Sequence, residues 1–317
     1  MSGRPFASTD ETADRKSTLQ QIGQGFYVYA AEGDPNSGVI VGDDAVLVVD
    51  AQPTPALAAE LIAQVAKVTD KPIRYVLLSH HHASRTLGAP SFKGAEILAS
   101  NATCGLIAER GKADIESEMA RFPRLYREVE AAPAPIWPTL TFPDEISVWL
   151  GRREVRIVHI GRGHTAGDVI AIVPDAGAVF AGDLVEHQMA PYCGDAHFTD
   201  WPATLDHLAE MQANIIGPGR GPVLATPQAA AQAIEQTAGF IDTLYGSVQK
   251  SVAKGRSLKD AFDFVRLAMD PTFRTLGLYE HRLPFSVARA YEEARGVERP
   301  AIWTAERDRE IWTALQG

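Results

Sequence analysis

Ile73-Arg74-Tyr75-Val76-Leu77-Leu78-Ser79-His80-His81-His82-Ala83-Ser84-Arg85 runs from a short apolar stretch directly into three histidines. Residues Ile73 to Leu78 predict a buried strand. Loops at strand ends are where α/β proteins place catalytic groups. Imidazole is the commonest protein ligand for zinc, and His-x-His lets two side chains converge from one extended segment. Alone, the triple histidine reads equally well as a solvated loop.

Two later segments extend the pattern. His164 sits in Gly163-His164-Thr165-Ala166-Gly167-Asp168 after another predicted strand, and Asp183 follows Phe180-Ala181-Gly182. Glycines at such places let a backbone approach a site closely. Three histidines and one carboxylate at strand ends form a plausible metal shell: His80, His82, His164 and Asp183. His81 is expected to point away from its neighbours in an extended turn. His159, His207 and His281 lie in strand or helix patterns and are not expected to be ligands.

Strands are predicted at Phe26–Ala30, Gly38–Val41, Ala45–Asp50, Ile73–Leu78 and Glu96–Ala99, with a hairpin around Gly42-Asp43-Asp44. Helices are predicted at Pro55–Val68 and Ile115–Arg127, and Asn101 is a candidate cap for a helix after it. Thr139–Phe142, Ile146–Leu150 and Val155–Ile160 suggest an antiparallel meander, followed by strands at Val169–Val173 and Ala178–Ala181. A helix is predicted from Trp201 to Gln212, and the chain is mostly helical after Pro227. Two β-rich halves with helices outside imply an α/β fold, a four-layer αβ/βα sandwich. Residues 1–20 are expected to be a flexible N-terminal segment, 21–226 the core, and 227–317 a helical extension packed on that core or making a dimer.

From about Gly38 to Gly221 the sequence resembles the metallo-β-lactamase superfamily. The hairpin ending in Asp50, the His-x-His turn, Gly-His-Thr-Ala-Gly-Asp, Gly-Asp and Pro-Gly-x-Gly come in the family order. The resemblance implies a first metal position at His80, His82 and His164, and a structural hydrogen-bond hub at Asp50. It places His187, Tyr192, Cys193, Asp195 and His197 in a segment that lines the pocket. The departures concern the second metal. The usual His-x-His-x-Asp-His reads His80-His81-His82-Ala83-Ser84-Arg85 here, and the usual Pro-Gly-His-Gly ends in Arg220. Of Ser84, Arg85, Asp183 and Arg220, only Asp183 can ligate a metal there, because arginine has no lone pair to offer.

These features imply a mononuclear metallohydrolase. Zinc is the default for three imidazoles with an open position, where a bound water approaches neutral pKa and attacks an ester, lactone, thioester or amide carbonyl. Arg85 and Arg220 would clamp an anionic small-molecule substrate, and Asp183 would orient the water, act as base, ligate the metal or pair with an arginine. Two alternatives stand beside this: a mononuclear non-haem iron oxidoreductase, and a non-catalytic relative that only recognises an anion. The formal net charge of −10 excludes bulk attraction to nucleic acid or an anionic membrane. Two cysteines, Cys104 and Cys193, argue against a thiolate zinc site. The polar start, Met1 to Gln24, and the lack of a long apolar run suggest a cytoplasmic protein, with a homodimer as one option.

Overall fold

The computed structural model describes residues 5–8, 15–127, 129 and 133–316. Strands β1 (Thr18–Gly23), β2 (Phe26–Ala30), β3 (Ser37–Val41), β4 (Val46–Val49), β5 (Ile73–Leu77), β6 (Glu96–Ser100) and β7 (Leu140–Phe142) bond in that order into one sheet. A second sheet has the order β12 (Ile215–Pro218), β11 (Ala178–Gly182), β10 (Ile170–Val173), β9 (Arg153–Val158) and β8 (Glu145–Leu150).

Period-two alternation of apolar residues sorts each strand between layers. Ile40, Leu47, Val49 and Leu77 face the second sheet and meet Val155, Ile157, Ala171 and Phe180 in the central core. Val39, Val46, Val48 and Val76 face the other way, onto Ala58, Leu61 and Val65 of helix α1 (Pro55–Val65). On the outer face of the second sheet, Ile170, Val179 and Ile216 pack with α4 (Trp201–Glu210) and α5 (Pro227–Ala253) through Leu205, Leu208 and Phe240. The result is the expected four-layer αβ/βα sandwich. Between α1 and α4 lie the single turn α2 (Ala83–Thr86) and the long α3 (Asn101–Arg121). Thr54 and Thr226 cap α1 and α5 by accepting the N–H of Leu57 and Ala229, with proline at the first helical position in both.

Four expectations change in detail. Strand β1 begins at Thr18, inside the stretch expected to be flexible, because pairing with β2 engages its backbone; residues 1–4 and 9–14 of that stretch lie outside the described residues. Ser100, not Asn101, caps α3, with its Oγ accepting the N–H of Thr103 at 3.0 Å. The helix then runs unbroken from Asn101 to Arg121, where a helix after Asn101 and another at Ile115–Arg127 were expected. β7 leaves the predicted meander and pairs parallel to β6 in the first sheet; β8 to β11 alone form the antiparallel run.

The C-terminal helices α6 (Leu258–Phe273), α7 (Tyr279–Ala294) and α8 (Ala305–Gln316) follow α5. Polar contacts tie them to earlier segments. Arg289 Nε donates to Ala196 O at 2.9 Å, Trp303 Nε1 to Gly194 O at 2.8 Å, and Ser117 Oγ to Asp308 Oδ2 at 2.6 Å. We expect limited proteolysis to release no stable fragment cut near residue 225; a folded, protease-resistant piece ending there would show that α5 to α8 are dispensable to the sandwich.

Candidate metal centre

Asp50, at the end of β4, organises the histidine turn. Its carboxylate accepts the Ser79 N–H at 2.8 Å and the Ser79 hydroxyl at 2.9 Å. With its proton directed to Asp50, Ser79 Oγ accepts from His80 Nδ1 at 2.9 Å. His164 Nδ1 lies 2.8 Å from the Tyr192 carbonyl, and His82 Nε2 lies 2.9 Å from Asp195 Oδ2. Carbonyls and carboxylates only accept, so these partners assign the proton on each ring. The remaining nitrogens, His80 Nε2, His82 Nδ1 and His164 Nε2, are left with lone pairs.

Those three atoms converge, lying within 4.8 Å of one another. The ring centroids form a nearly equilateral triangle, 4.7 to 4.9 Å on a side, with interplanar angles of 78° to 88°. His82 Nδ1 and His164 Nε2 stand 3.0 Å apart. His80 Nε2 is buried and has no hydrogen-bond partner. Two facing lone pairs repel, whereas a cation between them is attracted to both. Zinc–nitrogen bonds of about 2.0–2.1 Å in a tetrahedral site place ligand atoms roughly 3.3 Å apart. The donor set therefore fits a zinc ion. Burial keeps His80 well below its ordinary pKa and His164 at about 3, so both present neutral rings. For His82, burial works in the same direction, but Asp195 outweighs it and raises the basicity of the ring.

Asp183 follows β11 and borders the triad. Its Oδ2 is 3.7 Å from both His80 Nε2 and His164 Nε2. Its Oδ1 accepts Arg85 Nη2. Burial opposes ionisation of Asp183, yet Arg85, with His164, Arg220 and Arg282, holds the carboxyl far below the usual range. Arg85 is fully buried on α2 and also donates to Asn36 O at 2.9 Å and Gly219 O at 2.8 Å. Its terminal nitrogens are thus engaged within the protein, whereas the sequence suggested a group offered to substrate. Gly219 makes this possible: a Cβ there would lie 2.0 Å from Asp183 Oδ1. Arg220 does reach the cavity beside the triad, donating through Nη1 to Gly33 O at 2.9 Å, with Nε 3.4 Å from Glu186 Oε1.

Sequence reasoning missed the cover of this cavity. Arg282 of α7 reaches down to Glu186 and the Ala190 carbonyl. One face of α3 carries Arg110, Asp114, Glu118 and Arg121, all buried. Glu118 accepts the N–H groups of Ala83 and Ser84, which start α2, at 3.0 and 3.2 Å. Nothing local in the sequence marks these residues; only the i, i+4 spacing along a helix could have grouped them. Together they leave about 20 Å³ of free space against His82, His164 and Asp183, room for roughly one water molecule.

The other candidates sort clearly. Asp195 holds His82 and accepts Arg110 Nη1 at 2.8 Å. His81 does not leave the turn for solvent: it is buried, with Nε2 3.2 Å from Asp114 Oδ2. It also forms a second metal-capable group with His82 and Asp195, but there the histidine and carboxylate already bond to each other and Arg110 adds a positive charge. Burial pushes the Cys193 thiol up to about 12, which removes it as a nucleophile. His159, His207 and His281 do not join the triad. His197 lines a separate cavity of about 470 Å³ with His81 and Arg110, and His187 lines another with Met189.

A family model described as the metallo-beta-lactamase superfamily matches residues 30–220. The chain is 24% identical over 201 residues to the metallo-beta-lactamase type 2 of Bacillus cereus, covering 62% of this chain and 70% of that protein. It is 25% identical over 218 residues to the enzyme of the same name from Bacillus sp. (strain 170), covering 65% and 77%. Among solved structures, a metallo-beta-lactamase from Pontibacter korlensis superposes with a TM-score of 0.58 at 17% identity, over 72% of this chain and 99% of that one. Among the described residues no helix is long and apolar enough to cross a membrane.

Replacing His82 or His164 by alanine is expected to remove most bound zinc in elemental analysis, whereas His81→Ala is expected to keep it while lowering stability. Asp195→Asn should weaken zinc binding by about tenfold to a hundredfold, since a metal-bound histidine relies on its carboxylate partner; unchanged affinity would show that Asp195 does not tune the ligand. Arg85→Ala leaves Asp183 buried without its cation and should cost about 3–5 kcal/mol in urea unfolding.

Proposed function

This chain belongs to the metallo-beta-lactamase superfamily, and on that premise we propose that it is a mononuclear zinc hydrolase of a small anionic ester, lactone, thioester or amide. The observation that carries the reading is the convergence of three imidazole lone pairs beside a carboxylate whose other oxygen is taken by a guanidinium. When bound, zinc supplies Lewis-acid polarisation and an acidified water.

The protein's own groups divide the remaining work. Ser79, Asp195 and the Tyr192 carbonyl fix the three ring tautomers. Asp183 Oδ2 borders the open side of the triad. A carboxylate so strongly held in its ionised form is a weak proton acceptor, so it suits orienting a water by accepting its hydrogen bond. Arg85 keeps Asp183 ionised and fills the place where a second ion would sit, which supports one metal rather than two. Arg220 faces the same cavity and supports an anionic substrate. Space for one water is too little for an ester, so the side chains of α3 and α7 that close the cavity must shift to admit substrate.

Protein purified without added metal should contain close to one zinc per chain. Turnover of at least one carbonyl class in a panel of anionic esters, lactones, thioesters and amides should be lost in His164→Ala. Two tightly bound ions per chain would end the mononuclear reading, and stoichiometric iron would favour oxidation chemistry instead. A zinc-loaded protein that hydrolyses no member of the panel would sink the hydrolase assignment.

A further inference from the structure

Among the described residues three guanidinium groups line the metal chamber, those of Arg121, Arg220 and Arg282, with Arg85 behind Asp183, and their existing bonds distinguish them. Arg85 is bonded to Asp183, Asn36 and Gly219. Arg282 is bonded to Glu186 and the Ala190 carbonyl. Arg220 has Gly33 O and lies near Glu186. Arg121, at the C-terminal end of α3, differs. All four leave Nε buried without a hydrogen-bond partner, but Arg121, 3% exposed, also leaves its terminal Nη1 so. The nearest acid, Asp308, stands 3.6 Å from Nε, with its Oδ2 already accepting Ser117 Oγ at 2.6 Å. The guanidinium is held instead by aromatic faces: its carbon lies 4.8 Å from the centroid of Tyr192 and 5.0 Å from that of Phe285. Aromatic faces attract a cation and fix its plane but do not satisfy its in-plane N–H groups. Arg121 lines the same cavity as His82, His164 and Asp183.

We infer that Arg121 is a second anion-holding residue of this chamber beside Arg220, donating through Nη1 to one oxygen of a carboxylate or similarly small oxyanion placed beside the three histidines. The inference rests on the chamber being the substrate site. It moves the role expected of Arg85 to a residue outside every recognised motif. Charge supports it. Asp183 and Glu186 are already matched by Arg85, Arg220 and Arg282. Glu118 is turned to the backbone of α2 and to Tyr126. An incoming anion therefore meets in Arg121 the group whose terminal Nη1 is left buried without a partner.

Formate, the smallest carboxylate, is the probe, and formamide is its neutral counterpart of nearly the same shape. Calorimetric titration of the zinc-loaded full chain should show formate binding and much weaker formamide binding. Arg121→Gln should weaken formate binding by about tenfold to a hundredfold, the range for losing a charge-assisted contact, while elemental analysis still finds one zinc per chain. Arg121→Lys, which keeps charge and stem, should recover part of the loss. Equal binding of formate and formamide by the unaltered protein would overturn the inference without any variant, as would Arg121→Gln binding formate like the unaltered protein. Absence of formate binding would overturn it too. Because the readout is binding, a protein that binds formate through Arg121 but hydrolyses nothing would count against the hydrolase reading alone.

Discussion

The pair formed by Arg85 and Asp183 is the constraint on which the site rests. Both are buried and come from opposite sheets, Arg85 just after β5 and Asp183 just after β11. Two such ions out of water are tolerable only together and with their other donors and acceptors engaged. That requirement draws in Asn36 and the Gly219 carbonyl on one side and leaves Asp183 Oδ2 facing His80 and His164 on the other. A carboxylate that would otherwise titrate is fixed as an anion, and one edge of the histidine triangle is negative at every neutral pH.

Around this pair the charges alternate outward. Glu186 sits between Arg220, from the loop after β12, and Arg282, from α7. The C-terminal helices are therefore joined to the chamber electrostatically as well as through the apolar contacts of Tyr279, Leu283 and Val287. A chamber closed this way keeps out bulk solvent, and that strengthens each interaction left inside.

Much of the fold was legible because its central strands are short, nearly continuous apolar runs: Val46 to Val49 is buried at every position, and Ile73 to Leu77 ends in the buried Val76 and Leu77. The triad was legible because His80, His82 and His164 stand at strand ends. Arg121, Glu118 and Asp114 were not, and the reason is physical. Sequence reading finds helices from apolar residues repeating every three to four positions. In α3 the buried face carries Thr103, Arg110, Asp114, Ser117, Glu118 and Arg121 beside only two large apolar residues, Ile107 and Ile115, so the periodic signal is mostly polar and looks like a solvated surface. Arg85 was recognised as facing inward and Asp183 as able to pair with an arginine, but the backbone partners were not, because Gly219 and Asn36 reach Arg85 only through the closed sandwich.

That polar face makes α3 a ruler. Arg110, Asp114, Glu118 and Arg121 touch Asp195, His81, the start of α2 and Tyr192 in turn, and their angular alignment depends on an unbroken count of 3.6 residues per turn. One residue inserted near Lys112 would rotate everything after it by about 100° and swing Glu118 and Arg121 away from the chamber at once, whereas the register of Arg110 would survive. Related sequences that keep this site should therefore hold the length of α3 between Arg110 and Arg121 constant, a pattern of forbidden indels that serves as a signature of the chamber independent of the histidines.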